Sequence, residues 1–93
     1  MKPEPFLVTV SDEEIRRERE IAKKLKSSQW WKRKLARGIC HFCGGRFSPR
    51  ELTMDHLVPV IRGGRSTKGN LATACKKCNS NKRYLLPFET EGN

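Results

Sequence analysis

The chain has 93 residues, 35% of them hydrophobic and 32% charged, so it is long enough for one domain but poor in core-forming side chains. Its 20 lysines and arginines against 10 acidic residues give a formal net charge of +10, which favours nucleic acid as the partner. No apolar run is long enough to span a membrane and the first residues lack the apolar stretch of a secretory signal, so we expect an intracellular (cytoplasmic) protein with no membrane partner.

The first predicted helix begins at a capping-box pattern, because Ser11 is followed three residues later by Glu14. From residue 21 to residue 37 the chain carries seven lysines or arginines and no acidic residue, with a narrow, interrupted apolar stripe. This pattern predicts a basic helical arm. Serines at positions 27–28 are expected to divide the arm in two, and Gly38 suits its end.

The basic run has a second interpretation, because a charged helix face is often simply a solvent-exposed surface. The adjacent Trp30 and Trp31 are open to two interpretations as well. They could stack on nucleic-acid bases or pack against the domain, and packing is the more common fate of tryptophan.

The four cysteines form two Cys-x-x-Cys pairs, Cys40 with Cys43 and Cys75 with Cys78. This spacing lets two thiolates of one turn bind the same tetrahedral ion, and the glycines after Cys43 give the turn the freedom it needs. A redox-active Cys-x-x-Cys motif is the competing interpretation, but such a motif is normally single. We therefore expect one structural Zn²⁺, whose binding would supplement the small core.

The segment between the cysteine pairs is 31 residues long, which exceeds the spacing of a simple zinc ribbon. Residues 52–59 are predicted to form a strand that carries Asp55 and His56 and ends near Pro59. Successive side chains of a regular strand face opposite ways. Asp55 and His56 can therefore share a site only where the strand twists or ends, and irregular backbone is expected at His56.

Two asparagines complete the pattern after a glycine turn at residues 62–65. Asn70 follows that turn, and Asn79 directly follows the second cysteine pair, on a predicted short helix that ends before Pro87. The order Asp-His, then Asn, then Cys-x-x-Cys-Asn over residues 40–83 resembles the HNH endonuclease family. The specificity of the resemblance comes from several signals occurring together in one order.

The resemblance implies an α+β fold, a small zinc-stabilised ββα-metal finger (HNH) domain with an N-terminal basic helical arm. The expected organisation is an arm over residues 1–39, a nuclease core with zinc knuckles over residues 40–86 and a tail over residues 87–93. The implied activity is that of an enzyme, a metal-dependent HNH endonuclease that hydrolyses DNA phosphodiester bonds and leaves 5′-phosphate and 3′-hydroxyl ends.

By resemblance, four residues form the catalytic site. His56 is the general base, Asp55 and Asn79 hold a divalent ion, and Asn70 ties down the loop and orients His56. The family's last motif position is often histidine, and here it is Asn79, a variant that the family also uses. Because an amide carbonyl and a carboxylate are hard oxygen ligands, Mg²⁺ or Mn²⁺ is favoured as the catalytic ion.

Several basic residues are candidate contacts to DNA, which we expect to be double-stranded. Lys82 and Arg83 lie about one helical turn beyond Asn79, and Lys82 should share its face of the helix. Three further candidates could flank the groove: Arg62, Arg65 and Lys68. Contacts to phosphate are independent of base sequence, so weak specificity and marked salt dependence are expected.

Two functions from other classes compete with the nuclease. A non-catalytic zinc-ribbon module that binds nucleic acid would account for the charge and the cysteines, but it leaves Asp55, His56 and Asn79 unexplained. A protein-interaction domain would use the first helix as an adaptor, yet that helix lacks a convincing apolar face.

Overall fold

The computed structural model of the protein describes residues 10–82, apart from the side chain of Lys82. The helices and strands of this part are α1 (Asp12–Lys26), α2 (Gln29–Ala36), β1 (Leu52–His56), β2 (Leu71–Cys75) and α3 (Lys76–Lys82). Short 3₁₀ turns lie at Pro49–Glu51, Val60–Arg62 and Lys68–Asn70. Within residues 10–82 no helix combines the length and the apolar character needed to cross a membrane.

The N-terminal helices begin and end where the serines predict. The Glu14 N–H donates to Ser11 Oγ at 3.1 Å and the Ser11 N–H donates to Glu14 Oε1 at 3.0 Å, which confirms the capping box. Ser27 ends α1, and Ser28 caps α2 by accepting the Trp31 N–H at 3.3 Å. The predicted division of the arm is therefore confirmed.

The sheet is one antiparallel hairpin of β1 and β2, and α3 packs against both strands. In its register Asp55 pairs with Ala72 and His56 pairs with Leu71. β1 ends at His56, earlier than the predicted end near Pro59. At the next pair the ladder is incomplete, because the Leu57 N–H donates to the Asn70 carbonyl at 2.9 Å but the Asn70 N–H donates to the Thr67 carbonyl instead, also at 2.9 Å. Together the helices and the antiparallel hairpin give the expected α+β fold.

The core is small and is built around the cysteines. Cys40, Leu52 and Cys75 are buried together. Partly buried side chains from α2, the first knuckle, the loop after it and α3 pack against them: Leu35, Phe42, Phe47 and Cys78. Trp31 is buried, with 2% of its surface exposed, so packing on the domain is the fate of this tryptophan. Because thiols lie at the centre of this core, a metal ion bound to them would add to the stability of the fold.

Helix α1 is attached to the segment between the strands through one buried carboxylate. Glu18 Oε1 accepts the Ser66 N–H at 2.6 Å, and Glu18 Oε2 pairs with Arg65 Nε at 3.0 Å. The Ser66 N–H lowers the pKa of the Glu18 carboxyl below its ordinary value of 4.5, although burial opposes the shift. Since the folded-state pKa is depressed, the contribution of Glu18 to stability is present above pH 4.5 and is lost as the pH falls below it.

Candidate functional site

The two Cys-x-x-Cys pairs converge on one point. The Sγ atoms of Cys40, Cys43, Cys75 and Cys78 all lie within 4.8 Å of one another. Sulfur ligands of a tetrahedral ion with Zn–S bonds of about 2.3 Å are about 3.8 Å apart, so small side-chain adjustments bring the cluster to zinc geometry. The four cysteines are thus positioned to form a zinc site.

Backbone hydrogen bonds shape the first knuckle around its thiols. The Gly44 N–H donates to the carbonyl of Cys40 at 2.9 Å, and the Gly45 N–H donates to Cys43 Sγ at 3.4 Å. Gly44 has φ of +72°, a conformation that residues with a Cβ rarely adopt, which confirms the need for glycine after Cys43. The Cys75 N–H donates to Cys40 Sγ at 3.4 Å and so links the two pairs.

Two of the thiols, Cys40 and Cys78, have pKa values that are shifted in opposite directions. Burial raises the pKa of the Cys40 thiol, but main-chain N–H donors of Cys43, Cys75 and Phe42 outweigh it and lower that pKa to about 7. Burial and hydrogen bonds with the neighbouring thiols raise the pKa of Cys78 to about 12. A divalent cation at this point would favour the thiolate form of Cys78, because it offsets the cost of burying a negative charge.

His41 lies within the first knuckle but outside the thiol cluster. Its side chain is exposed and its ring meets Phe42 edge to face, with the centroids 5.1 Å apart. Its main-chain N–H donates to the carbonyl of Thr73 in β2 at 2.8 Å. His41 therefore acts as a spacer that attaches the knuckle to the hairpin.

A second group of polar residues lines a cleft of about 250 Å³ between α1, the end of β1 and α3. Asp55, His56 and Asn79 all contribute to its wall. Both residues lie at the end of β1, which stays paired through His56, so the irregular backbone expected at His56 begins one residue later, at Leu57. Among residues 10–82, the sequence-predicted trio is thus brought together in one cleft.

Asn70 holds the loop that follows His56. Its Oδ1 accepts the Val58 N–H at 2.8 Å, and its Nδ2 donates to the carbonyls of Val58 at 3.1 Å and Arg65 at 2.8 Å. Its own carbonyl accepts the Leu57 N–H at 2.9 Å. One side chain therefore fixes both ends of the loop, and Asn70 acts on the loop outside the wall of the cleft.

Gly64 allows that loop to close, and alanine at this position should disturb it. A Cβ on Gly64 would lie 1.8 Å from the carbonyl oxygen of Val58, whereas a Cβ on Gly69 would meet nothing within 4 Å. Gly64→Ala should destabilise the protein by about 1–3 kcal/mol, because main chain must move. Chemical denaturation measures the difference, and Gly69→Ala is the matched control. Equal stability of the two variants would contradict the packing described.

The basic residues predicted to contact DNA do not line the wall of the cleft, as far as the structure describes them. Arg65 pairs with Glu18, although 73% of its side chain is exposed. Lys68 Nζ lies 5.7 Å from the ring centroid of Trp30, the same distance as Lys34 Nζ. Arg62 is half-buried. Lys82 belongs to α3, but its side chain, like all of residue 83, lies outside the described structure.

The sequence interpretation missed three residues beside this cleft. Ile15 and Arg19 of α1 line it directly, and Ser66 Oγ lies 2.8 Å from His56 Nε2. The spacing of Ile15 and Arg19, four residues apart, places them on one helix face. That spacing alone gives no indication of which part of the domain the face meets.

Comparison with known families finds a match over the second half of the chain. The family model described as HNH endonuclease matches residues 40–84, which include both cysteine pairs, Asp55, His56, Asn70 and Asn79. No curated protein matches the chain.

Proposed function

Because residues 40–84 are an HNH endonuclease domain, we propose that the protein is a metal-dependent endonuclease that hydrolyses DNA phosphodiester bonds. The observation that carries the proposal is the meeting of Asp55, His56 and Asn79 on one cleft. A base and two oxygen ligands facing a common space are what hydrolysis requires. A module that only bound nucleic acid would need the charge and the cysteines but not this trio.

His56 is the general base of the proposed reaction. Its imidazole takes a proton from a water molecule, and the water oxygen then bonds to phosphorus. The bond between phosphorus and the 3′ oxygen breaks, that oxygen takes a proton from a solvent water to give a 3′-hydroxyl, and the phosphate stays on the 5′ end. The position of His56 at the end of β1 lets its ring face the cleft beside Asp55.

Asp55 and Asn79 are the proposed ligands of a divalent ion. The donor set fits, since it combines a carboxylate with a side-chain amide, and Oδ2 of Asp55 is a buried oxygen. Hard oxygen donors of this kind favour Mg²⁺ or Mn²⁺ over softer metals. When bound, such an ion offsets the negative charge that develops on the phosphate and the departing oxygen.

The four cysteines are proposed to bind zinc as a structural ion. Their Sγ atoms are clustered within 4.8 Å and two of them, Cys40 and Cys75, belong to the buried core. Zinc at such a site adds on the order of 10 kcal/mol of binding free energy that is realised on folding. The nuclease site would depend on it indirectly, because β2 ends at Cys75 and α3 carries both Cys78 and Asn79.

Positive charge supplies the proposed affinity for double-stranded DNA. The net charge of +10 and the position of Arg19 in the wall of the cleft support contact with phosphates near the scissile bond. The other proposed contacts are Arg62, Arg65, Lys68, Lys82 and Arg83. Since these are contacts to phosphate, affinity should fall steeply with salt and depend little on base sequence.

The metal-binding role of Asp55 is tested by Asp55→Asn, which keeps the shape of the side chain and removes its charge. We expect cleavage at a fixed Mg²⁺ concentration to slow by about 100-fold or more, because a carboxylate ligand is lost, with DNA binding retained. Rates are measured on a labelled duplex over a series of Mg²⁺ and Mn²⁺ concentrations.

Asp12→Asn is the matched control, because it makes the same substitution at an exposed position in the first turn of α1. It should cut at the wild-type rate. Cleavage by Asp55→Asn at the wild-type rate and with the wild-type metal requirement would refute the assignment.

A further inference from the structure

The buried polar contact between α1 and the loop before β2 ends on the side chain of His56. Ser66 is 5% exposed, and its Oγ lies 2.8 Å from His56 Nε2 and 2.7 Å from the carbonyl oxygen of Glu18. Glu18 is also 5% exposed. A continuous chain of contacts therefore runs from α1 through Ser66 to the imidazole.

The direction of each hydrogen bond follows from the atoms involved. A carbonyl oxygen only accepts hydrogen bonds, so the Ser66 hydroxyl must donate its single proton to the hydrogen bond with the main-chain carbonyl of Glu18. The Ser66 oxygen is then left with lone pairs toward the ring, so His56 Nε2 must be the donor of the 2.8 Å contact. In a neutral imidazole with its proton on Nε2, the lone pair is on Nδ1.

We propose that Ser66 and Glu18 are positioning residues that hold His56 in the tautomer with the proton on Nε2, so that Nδ1 is the atom that accepts the proton of water. This proposal deepens the proposed nuclease function and rests on His56 being the general base. Nε2 keeps its proton throughout the reaction, while Nδ1 gains one from water and later releases it.

Glu18 contributes by fixing Ser66 from two sides. Its main-chain oxygen accepts the hydrogen bond from the Ser66 hydroxyl, and its Oε1 accepts the hydrogen bond from the Ser66 N–H at 2.6 Å. The same carboxylate pairs with Arg65 through Oε2. Glu18 and the cleft-lining Arg19 are adjacent in α1. Helix α1 therefore contributes to the proposed nuclease site by positioning His56 and by lining the cleft.

The tautomer can be read directly from the ring nitrogens by NMR. The chain has two histidines, His41 and His56, so ¹⁵N-histidine labelling of the zinc-loaded full chain gives two rings, assigned with His56→Ala. In long-range ¹H–¹⁵N spectra of the neutral rings, we expect wild-type His56 in the Nε2–H form. His41, which is exposed, serves as the internal reference.

Ser66→Ala removes the acceptor, and Ser66→Thr keeps a hydroxyl at the same position. In Ser66→Ala, the His56 signals should shift toward a mixture of the two tautomers, with His41 unchanged. The kcat for DNA cleavage should fall by about 10- to 100-fold with KM changed less than about twofold, because orientation of the base matters in the transition state. Ser66→Thr should restore both the tautomer and most of the rate.

Two results would overturn the proposal. One is a wild-type His56 in the Nδ1–H form, a measurement that does not depend on any variant folding. The other is Ser66→Ala with the wild-type tautomer and the wild-type kcat. If the wild type itself cuts no DNA, the nuclease function fails, while the tautomer of His56 still decides whether Ser66 and Glu18 position the ring.

Discussion

Replacing His56 with alanine should leave DNA binding within about twofold of wild type and slow cleavage by about 1,000-fold or more. The imidazole lines the cleft, and its proposed role as base is exerted only in the transition state, whereas the proposed ground-state affinity comes from charges spread over the molecule. A general base typically contributes about 100- to 10,000-fold to a rate. Binding is measured by fluorescence anisotropy on a short duplex, and cleavage on the same duplex with Mg²⁺ or Mn²⁺.

His41→Ala is the matched control for that experiment, since it removes the other histidine of the chain from an exposed position in the first knuckle. It should cut DNA at close to the wild-type rate. If His56→Ala lost DNA binding in proportion to cleavage, His56 would be a binding or structural residue and the assigned role would be wrong.

Replacing Cys40 with serine should unfold the domain. Cys40 has no exposed surface, belongs to the small core, and accepts the Cys75 N–H through its Sγ atom. A hydroxyl there is a poor zinc ligand, and with zinc unbound the core loses on the order of 10 kcal/mol of binding free energy, which exceeds the stability of a typical small domain. Circular dichroism during a thermal melt should show the cooperative transition lost.

The zinc dependence of the wild type is the control for Cys40→Ser. Chelator should abolish the cooperative melt, and added Zn²⁺ should restore it, with native mass spectrometry showing one zinc per folded chain. A melting temperature unchanged by a strong chelator would show that the four cysteines do not hold a structural ion.

The features that the sequence predicts well are those fixed by neighbours a few residues apart. The Ser11–Glu14 capping box and the division of the arm at Ser27 and Ser28 depend on one helical turn, and both are confirmed. The cysteine cluster follows in the same way, because each pair belongs to one turn and a single ion can join two such pairs.

The features that it could not predict depend on contacts across long stretches of chain. Ser66 is 48 residues from Glu18, and each is a common residue with no local signal of burial. Arg19 reaches the cleft only because α1 packs on the turn Val60–Arg62. The early end of β1 cannot be read from β1 itself either, since it depends on the Asn70 N–H donating to the Thr67 carbonyl and not across the sheet.

The DNA contacts at Lys82 and Arg83 and the division of the chain at residues 39 and 86 stay predictions. Asn79 takes its expected place in α3, so Lys82 at the end of the same helix lies one turn further on. Two of the basic residues between the strands have partners within the protein. Arg65 is held by Glu18, and Lys68 lies beside Trp30.

The proposal that this protein is a metal-dependent nuclease is tested most directly by incubating supercoiled plasmid with the zinc-loaded protein and either Mg²⁺ or Mn²⁺, beside an equal incubation in EDTA at a concentration that leaves the domain folded. We predict nicked or linear plasmid with the divalent ion and intact plasmid with EDTA. Plasmid that is bound by the protein yet stays intact with both ions would contradict the proposal and favour a module that binds nucleic acid without cutting it.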